Sequence, residues 1–238
     1  MKLALITGGT RGIGKALVHA FSNAGYFVCF FYKNSDNEAN AIQKITSSKA
    51  FKVDASNANE VENAVQSILK DYKHIDVLVN NAGIAQTKLF TDISNTDWDS
   101  MISNNLSSVF YCMRAVLPSM ISRRFGRVIN IASIWADCGA ACEAHYAASK
   151  AGVIALTKSL AKELGPSNVL LNTISPGAIQ TDMLACYSQQ EIAELAEQTP
   201  LLHLVSCEDI ANMALFLSSQ QANSITGQNF VIDGGFTL

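Results

Sequence analysis

The chain has 238 residues, a formal net charge of −3 and 49% hydrophobic residues. That is ample material for one sizeable core, and the acidic balance argues against a general nucleic-acid binder, which needs a basic surface. Six cysteines (Cys29, Cys112, Cys138, Cys142, Cys186 and Cys207) are scattered without a CxxC pair, which favours reduced thiols and a cytoplasmic setting over a disulfide framework. No apolar run approaches the length of a membrane span. The opening "MKLALITGG" is cut by Gly8 before it could serve as a signal peptide.

In chain order, the strand-like run "LALIT" leads into "GKALVHAFSNAG", a helix with Ala16, Leu17, Ala20 and Phe21 on one face. "YFVCFFY" is a second strand, and "SDNEANAIQKI" a helix capped by Ser35 or Asp36. "AFKVD" is a third strand, followed by the amphipathic "NANEVENAVQSILKDY", with Val61, Val65, Ile68 and Leu69 inward. "IDVLVNNAG" is a fourth strand ending in a turn. One long helix is expected from about Thr96 to Met120. "GRVINIAS" is a fifth strand, and "HYAASKAGVIALTKSLAKELG" a long helix stopping at Gly165. "VLLNTIS", "SCEDIANMALFLSS" and "QNFVID" complete a strand, a helix and a last strand. The stretch from about Pro176 to Val205 breaks the rhythm and reads as a binding loop. Strands that are apolar throughout are buried on both faces. Their strict alternation with helices predicts a single α/β domain over residues 1–238, a doubly wound parallel sheet of about seven strands.

Residues 7–15, "TGGTRGIGK", form a glycine-rich turn directly after the first strand. Two phosphate-binding templates compete for it. Gly9, Gly14 and Lys15 fit a Walker A loop, but Ala16 stands where that loop needs a hydroxyl for magnesium. Asp76 begins its strand rather than ending it, so it cannot supply the metal's acidic partner. Gly8, Gly12 and Gly14 fit a spacing variant of the dinucleotide turn, in which glycines let the backbone approach a pyrophosphate at a helix N-terminus. Glycines that only allow close packing of strand on helix would look the same.

Four further stretches decide between these readings. "TGGTRGIG", "NNAG" at Asn80–Gly83, Ser133, "YAASK" at Tyr146–Lys150 and "PG" at Pro176–Gly177 occur in this order over the whole chain. Together they resemble the short-chain dehydrogenase/reductase family, and "NNLSSVFYCMRAVLPSM", "GRVINIAS" and "SPGAIQTDM" are similar to its 3-oxoacyl-[acyl-carrier-protein] reductase branch. The resemblance implies a Rossmann-type fold, an NAD(P)H-dependent ketoreductase and a homotetramer built partly from two long helices. It implies the catalytic residues Asn105, Ser133, Tyr146 and Lys150. Asn105 would hold a water that relays protons through the lysine. For the cofactor it implies Gly8, Thr10, Arg11, Gly12, Ile13 and Gly14 at the pyrophosphate turn, Asp54 beside the adenine, and Asn81, Ala82 and Gly83 in the next turn. Tyr146, Lys150, Pro176, Gly177, Ile179 and Thr181 would surround the nicotinamide.

The residue types suit that chemistry. Tyr146 and Lys150 are four apart and project from one helical face. A nearby ammonium lowers a phenol's pKa and makes it a usable acid or base. Ser133 ends a strand whose C-terminal edge faces the cofactor crevice, where its hydroxyl can share a carbonyl oxygen with the tyrosine. The second strand ends in Tyr32-Lys33-Asn34-Ser35 without an acid for a ribose 2′-OH. Asp36 falls past the strand end. Lys33 and Arg11 could pair with a 2′-phosphate and Asn34 or Ser35 could bond it, so NADPH is expected over NADH. Cys138, Cys142, Glu143 and His145 fit no common zinc spacing, and no metal is expected. Trp135 is read as a pocket wall.

The expected reaction is reduction of a 3-oxoacyl thioester, with an acidic acyl carrier protein as the partner. Arg124 matches one basic position that faces the carrier in the similar reductases, while Ser167 replaces the second. The loop "WADCGAACEAH" also departs from their glycine- and asparagine-rich version. Alternatives are a reductase of another ketone (acetoacetyl-CoA, a polyketide intermediate or a sugar) and a dinucleotide sensor without turnover.

Overall fold

A computed structural model describes residues 1–179 and 189–238. Seven strands form one parallel sheet: β1 (Leu3–Thr7), β2 (Phe27–Tyr32), β3 (Ser48–Lys52), β4 (Val77–Asn80), β5 (Gly126–Ile131), β6 (Val169–Pro176) and β7 (Asn229–Ile232). Their order is β3-β2-β1-β4-β5-β6-β7. The chain winds outward from β1 and then returns to pair β4 with β1, registering Leu5 with Leu78. The reversal between β1 and β4 opens a crevice at the strands' C-terminal edge, where ligands of such sheets bind.

β1 and β5 are buried along their whole length, as their apolar runs predict. The helices α1 (Gly12–Asn23), α2 (Asp36–Ile45), α3 (Ala58–Tyr72), α4 (Asn95–Ile102), α5 (Ser108–Arg123), α6 (Trp135–Cys138), α7 (Ala144–Leu164), α8 (Gln189–Glu197) and α9 (Cys207–Ser218) connect the strands. One apolar cluster joins one face of the sheet to α3, α5 and α7 through Val65, Ile68, Val116, Met120 and Val153. The other joins the opposite face to α1 and α9 through Leu17, Phe21, Ile210 and Leu217. Among the described residues no helix is long and apolar enough to cross a membrane.

Three local features differ from the sequence expectations. The helix expected over 96–120 is two helices joined by a π-turn at Ser103–Ser107. The apolar period runs through the join, so periodicity alone does not reveal it. Asn105 in that turn spends its side chain on the backbone of Ile84 rather than facing solvent. The cap expected at Ser35 is absent: Ser35 occupies the cap position without a side-chain bond. Asp36 instead accepts from Lys52 at 2.8 Å and from the Tyr32 hydroxyl at 3.0 Å. Short helices occupy 135–138 and 189–197, both read from the sequence as loop.

The opposite, N-terminal edge of the sheet is locked by one buried carboxylate. Asp76 accepts the Leu3 amide at 2.8 Å and the Arg123 guanidinium at 2.9 Å, and His74 lies 3.3 Å away. Substitution Asp76→Ala leaves a buried amide and a cation without their acceptor. It should lower unfolding free energy by about 2–4 kcal/mol in a urea titration. A loss below about 0.5 kcal/mol, ordinary for a surface site, would mean that the edge is held by packing alone.

Candidate active site

The glycine turn is built by close approach. Gly8 and Gly12 have φ of +69° and +50°, and a Cβ on Gly14 would stand 1.9 Å from the Gly8 carbonyl oxygen. Only glycine fits such positions at low cost. The turn therefore leaves room for a phosphate at the start of α1, where backbone amides are free to donate. Thr10 is buried, Ile13 is half-buried, and Arg11 is exposed at the N-cap of α1.

Thr7, not singled out from the sequence, fastens this turn to the next one. Its Oγ1 accepts the amides of Asn81 and Ala82, both at 2.9 Å. Asn81 returns its amide group to the carbonyls of Thr7 and Gly8 at 3.0 and 3.2 Å. Asn81 thus braces the turn with its side chain. A buried threonine at a strand end carries no distinctive sequence signal, so only the pairing of β1 with β4 reveals the role.

Lys33 and Asp54, both expected near the adenosine, form an ion pair of 2.6 Å. Burial works against the Asp54 charge, but bonds from Lys33 and Ser56 outweigh it and hold the carboxyl below its ordinary range. Asn34 is exposed beside them and Ser35 half-buried. Asp36 is neutralised by Lys52, whose hydrogen bond is the main cause of its lowered pKa. Pro176 closes β6, and Gly177 follows with its amide on the Ile232 carbonyl at 2.9 Å. Ile179, expected to line a nicotinamide pocket, has its side chain in the core opposite Val205. Its apolar side chain is buried there, and its backbone is bridged to Val205. Thr181 lies outside the described residues.

Ser133, Tyr146, Lys150 and Asn105 come together at the C-terminal end of β5. The Ser133 hydroxyl lies close enough to the Tyr146 phenol to act on its ionisation. Lys150 is buried, and its Nζ donates to the Ile131 carbonyl at 2.9 Å while lying 5.8 Å from the Tyr146 ring centroid. Burial lowers the lysine pKa to about 8. The sequence expectation that this ammonium lowers the phenol's pKa is not met. Burial raises the Tyr146 pKa, the Ser133 hydroxyl opposes that, and the Glu143 carboxylate adds to it. The lysine points to a backbone carbonyl and not to the phenol oxygen. A phenol kept protonated is suited to giving a proton away.

Asn105 is fully buried. Its Oδ1 accepts the Ile84 amide at 2.8 Å, and its Nδ2 donates to the Ile84 carbonyl at 2.9 Å and to Ser149 Oγ at 3.2 Å. The side chain is therefore spent. A Cβ on Gly83 would lie 3.0 Å from Asn105 Oδ1 and 3.5 Å from Lys150 Nζ, so this glycine seats the turn against both. His145, next to Tyr146, is buried with Nε2 on Gln86 at 3.0 Å.

Arg123 and Arg124 lie at the far edge of the sheet. Arg123 is held by Asp76, and Arg124 Nη2 donates to the Pro166 carbonyl at 2.9 Å. All of β5 separates them from Ser133. A cleft of about 1190 Å³ between α1 and α9 also lies away from the hydroxyl pair. Among the described residues no group of three or more His, Cys, Asp or Glu is placed to hold a metal.

Comparison with known proteins accords with this geometry. The profile of a family described as enoyl-(acyl carrier protein) reductase matches residues 8–237. A 3-oxoacyl-[acyl-carrier-protein] reductase FabG of Chlamydia pneumoniae is 41% identical, over 99% of this chain and 97% of that protein. The proteins of the same name from Staphylococcus epidermidis and from Buchnera aphidicola subsp. Baizongia pistaciae are 36% and 34% identical over 100% of this chain, and over 99% and 98% of their own lengths. With its glycine turn, its Ser133–Tyr146–Lys150 cluster and this full-length similarity, the chain belongs to the short-chain dehydrogenase/reductase family of nicotinamide-dependent oxidoreductases.

Proposed function

We propose that this protein reduces 3-oxoacyl thioesters, carried by acyl carrier protein, to 3-hydroxyacyl products with NADPH. The observation that carries the reading is the Ser133–Tyr146 hydroxyl pair beside buried Lys150, in a chain whose full-length relatives are named for that reaction. When bound, the reduced nicotinamide supplies the hydride that reaches the carbonyl carbon. Ser133 and Tyr146 present two donors to one oxygen, so the charge that develops there is met by preorganised hydrogen bonds. Tyr146 then gives its proton to that oxygen. Lys150 then restores the phenol's proton, and Asn105 would hold the water that relays it. The family profile's own description concerns reduction of a carbon–carbon double bond. Two hydroxyls aimed at one oxygen favour the ketone.

Gly8, Thr10, Arg11, Gly12, Ile13 and Gly14 would hold the pyrophosphate, with Asn81, Ala82 and Gly83 flanking the ribose. Lys33, Asn34 and Ser35 would meet the 2′-phosphate, and Asp54 the adenine. The pairing of Asp36 with Lys52 supports NADPH, because it removes the acid that could accept a free ribose hydroxyl. Assembly as a homotetramer is supported by an open groove of about 600 Å³ on α5 and α7, lined by Leu106, Phe110, Tyr111, Gly152 and Leu156. Twofold packing there would run α7 antiparallel to its copy. Arg124 of one protomer would then approach the site mouth of the other, the only arrangement in which it could steer an acidic carrier.

Tyr146→Phe should lower the turnover of 3-oxoacyl thioesters by about 10²–10⁴-fold while the KM for NADPH stays within about threefold. Turnover within a few-fold of the parent, or faster reduction of enoyl than of 3-oxoacyl thioesters, would sink the mechanism. The pH profile has a definite sign. Lys150 is protonated below about 8 and neutral above it. Reductive kcat/KM should therefore be level on the acid side and fall as pH rises through about 8. Lys150→Arg should carry that fall to higher pH. Lys33→Glu should raise the KM for NADPH by about tenfold, the worth of one charged contact, and change that for NADH much less. Equal changes would show that Lys33 serves only Asp54.

A further inference from the structure

Trp135 stands two residues beyond Ser133, and its amide donates to Ser133 Oγ at 3.3 Å. Its half-buried indole meets Phe236 edge to face, with ring centroids 5.9 Å apart and planes at 78°. Phe236 belongs to the segment after β7, which is folded into a tight hook. Asp233 accepts the Gly235 amide at 2.8 Å, the Thr237 amide at 2.9 Å and the Thr237 hydroxyl at 2.6 Å. The hook also presses on the other side of the site, where a Cβ on Gly177 would stand 2.7 Å from the Asp233 Cβ. A second fastening joins α6 to the start of β7, from Asn229 Nδ2 to Asp137 Oδ2 at 2.8 Å.

A carbonyl held by Ser133 and Tyr146 must let its chain leave past the residues that follow Ser133. Ile134 is buried in the core, so the first side chain there that keeps open surface is Trp135. Trp135 and Phe236 are both half-buried, so each keeps part of an apolar ring surface open. A charged substituent would find no opposite charge on two such rings. An alkyl chain would bury them.

We propose that Trp135 and Phe236 form the wall of the acyl-chain site, and that the 233–238 hook, by fixing Phe236, sets the chain length the enzyme accepts. The pair acts on specificity and not on the chemical step. The inference rests on the reading of the substrate as a 3-oxoacyl thioester. The Asp233 and Asn229 bonds fix the backbone that carries the two rings, so a chain that overruns the wall meets them in place. A rigid apolar limit of this kind discriminates by roughly tenfold or more per misfitted group.

The test is a ladder of pantetheine thioesters from 3-oxobutanoyl to 3-oxododecanoyl, reduced by the parent, Phe236→Ala and Phe236→Tyr. Phe236→Ala should raise kcat/KM on the longest chain relative to the shortest by about tenfold. The KM for the nicotinamide cofactor should not move, and Phe236→Tyr, which keeps the edge contact, should retain the parent's preference. An unchanged preference in Phe236→Ala, or a rise in cofactor KM that matches the change on thioesters, overturns the wall alone. A parent inert to every thioester overturns the reading on which it rests. The binding measurement needs no truncation of the wall. Trp135 and Trp98 are the two tryptophans, so Trp98→Phe leaves the Trp135 indole as the only one. Its emission should shift on titration with 3-hydroxydodecanoyl-pantetheine and stay still with 3-hydroxybutanoyl-pantetheine. No shift with the long chain rules out contact.

Discussion

The site depends on one buried cation. Lys150 has left water, and among the described residues no carboxylate pairs with it. It keeps the Ile131 carbonyl at the end of β5. Burying an ammonium in this way costs free energy, which appears as a pKa lowered to about 8. The position is tolerable only because α7 is docked on the sheet by other means. Asn130 of β5 donates to Thr157 at 2.8 Å, and Asn105 donates to Ser149 at 3.2 Å. These two bonds bracket the lysine along the helix. They fix the turn of α7 that presents Tyr146 toward Ser133.

The same economy shapes the nucleotide end. Asn81 and Ala82 donate four hydrogen bonds to Thr7 and Gly8 across the β1–β4 reversal. The two turns that would flank a dinucleotide are therefore one rigid piece. A phosphate arriving there pays little to organise its donors, since the glycine backbone already holds the shape. The acidic and basic side chains beyond it, Lys33 with Asp54 and Lys52 with Asp36, are paired with each other at the surface. Exposed pairs of this kind contribute little to the stability of the fold.

Chemistry and stability occupy opposite edges of the sheet. The C-terminal edge carries the strained glycines, the buried lysine and the spent asparagine in its π-turn. The N-terminal edge carries Asp76 with Arg123, and Arg127, a buried guanidinium stacked 4.6 Å from the Phe125 ring and bonded to Asn223 at 2.6 Å. Burial lowers the Arg127 pKa. Such groups hold strand ends in register and leave the other edge free to be irregular. The π-turn at Ser103–Ser107 shows that freedom, since an inserted residue breaks the regular carbonyl pairing where Asn105 sits.

The amino-acid sequence by itself determined the parallel seven-strand sheet and its helices, because continuous apolar strands and 3.6-residue periodicity depend on local order in the chain. It also marked Gly8 and Gly12, whose positive φ only glycine adopts cheaply, Gly14, where a Cβ would meet the Gly8 carbonyl, and Tyr146 with Lys150, whose four-residue spacing puts them on one face. The tertiary structure decided what depends on residues far apart in the chain. Thr7 meets Asn81 only when β4 pairs with β1. Asn105 is tied to the backbone of Ile84, and Ile179 packs into the core opposite Val205. Phe236 reaches Trp135 only because β7 ends beside α6. Lys150 illustrates both levels: its place on the helix is written locally, but the burial that lowers its pKa and turns it from the phenol to a carbonyl comes from packing against β5, which no local pattern encodes.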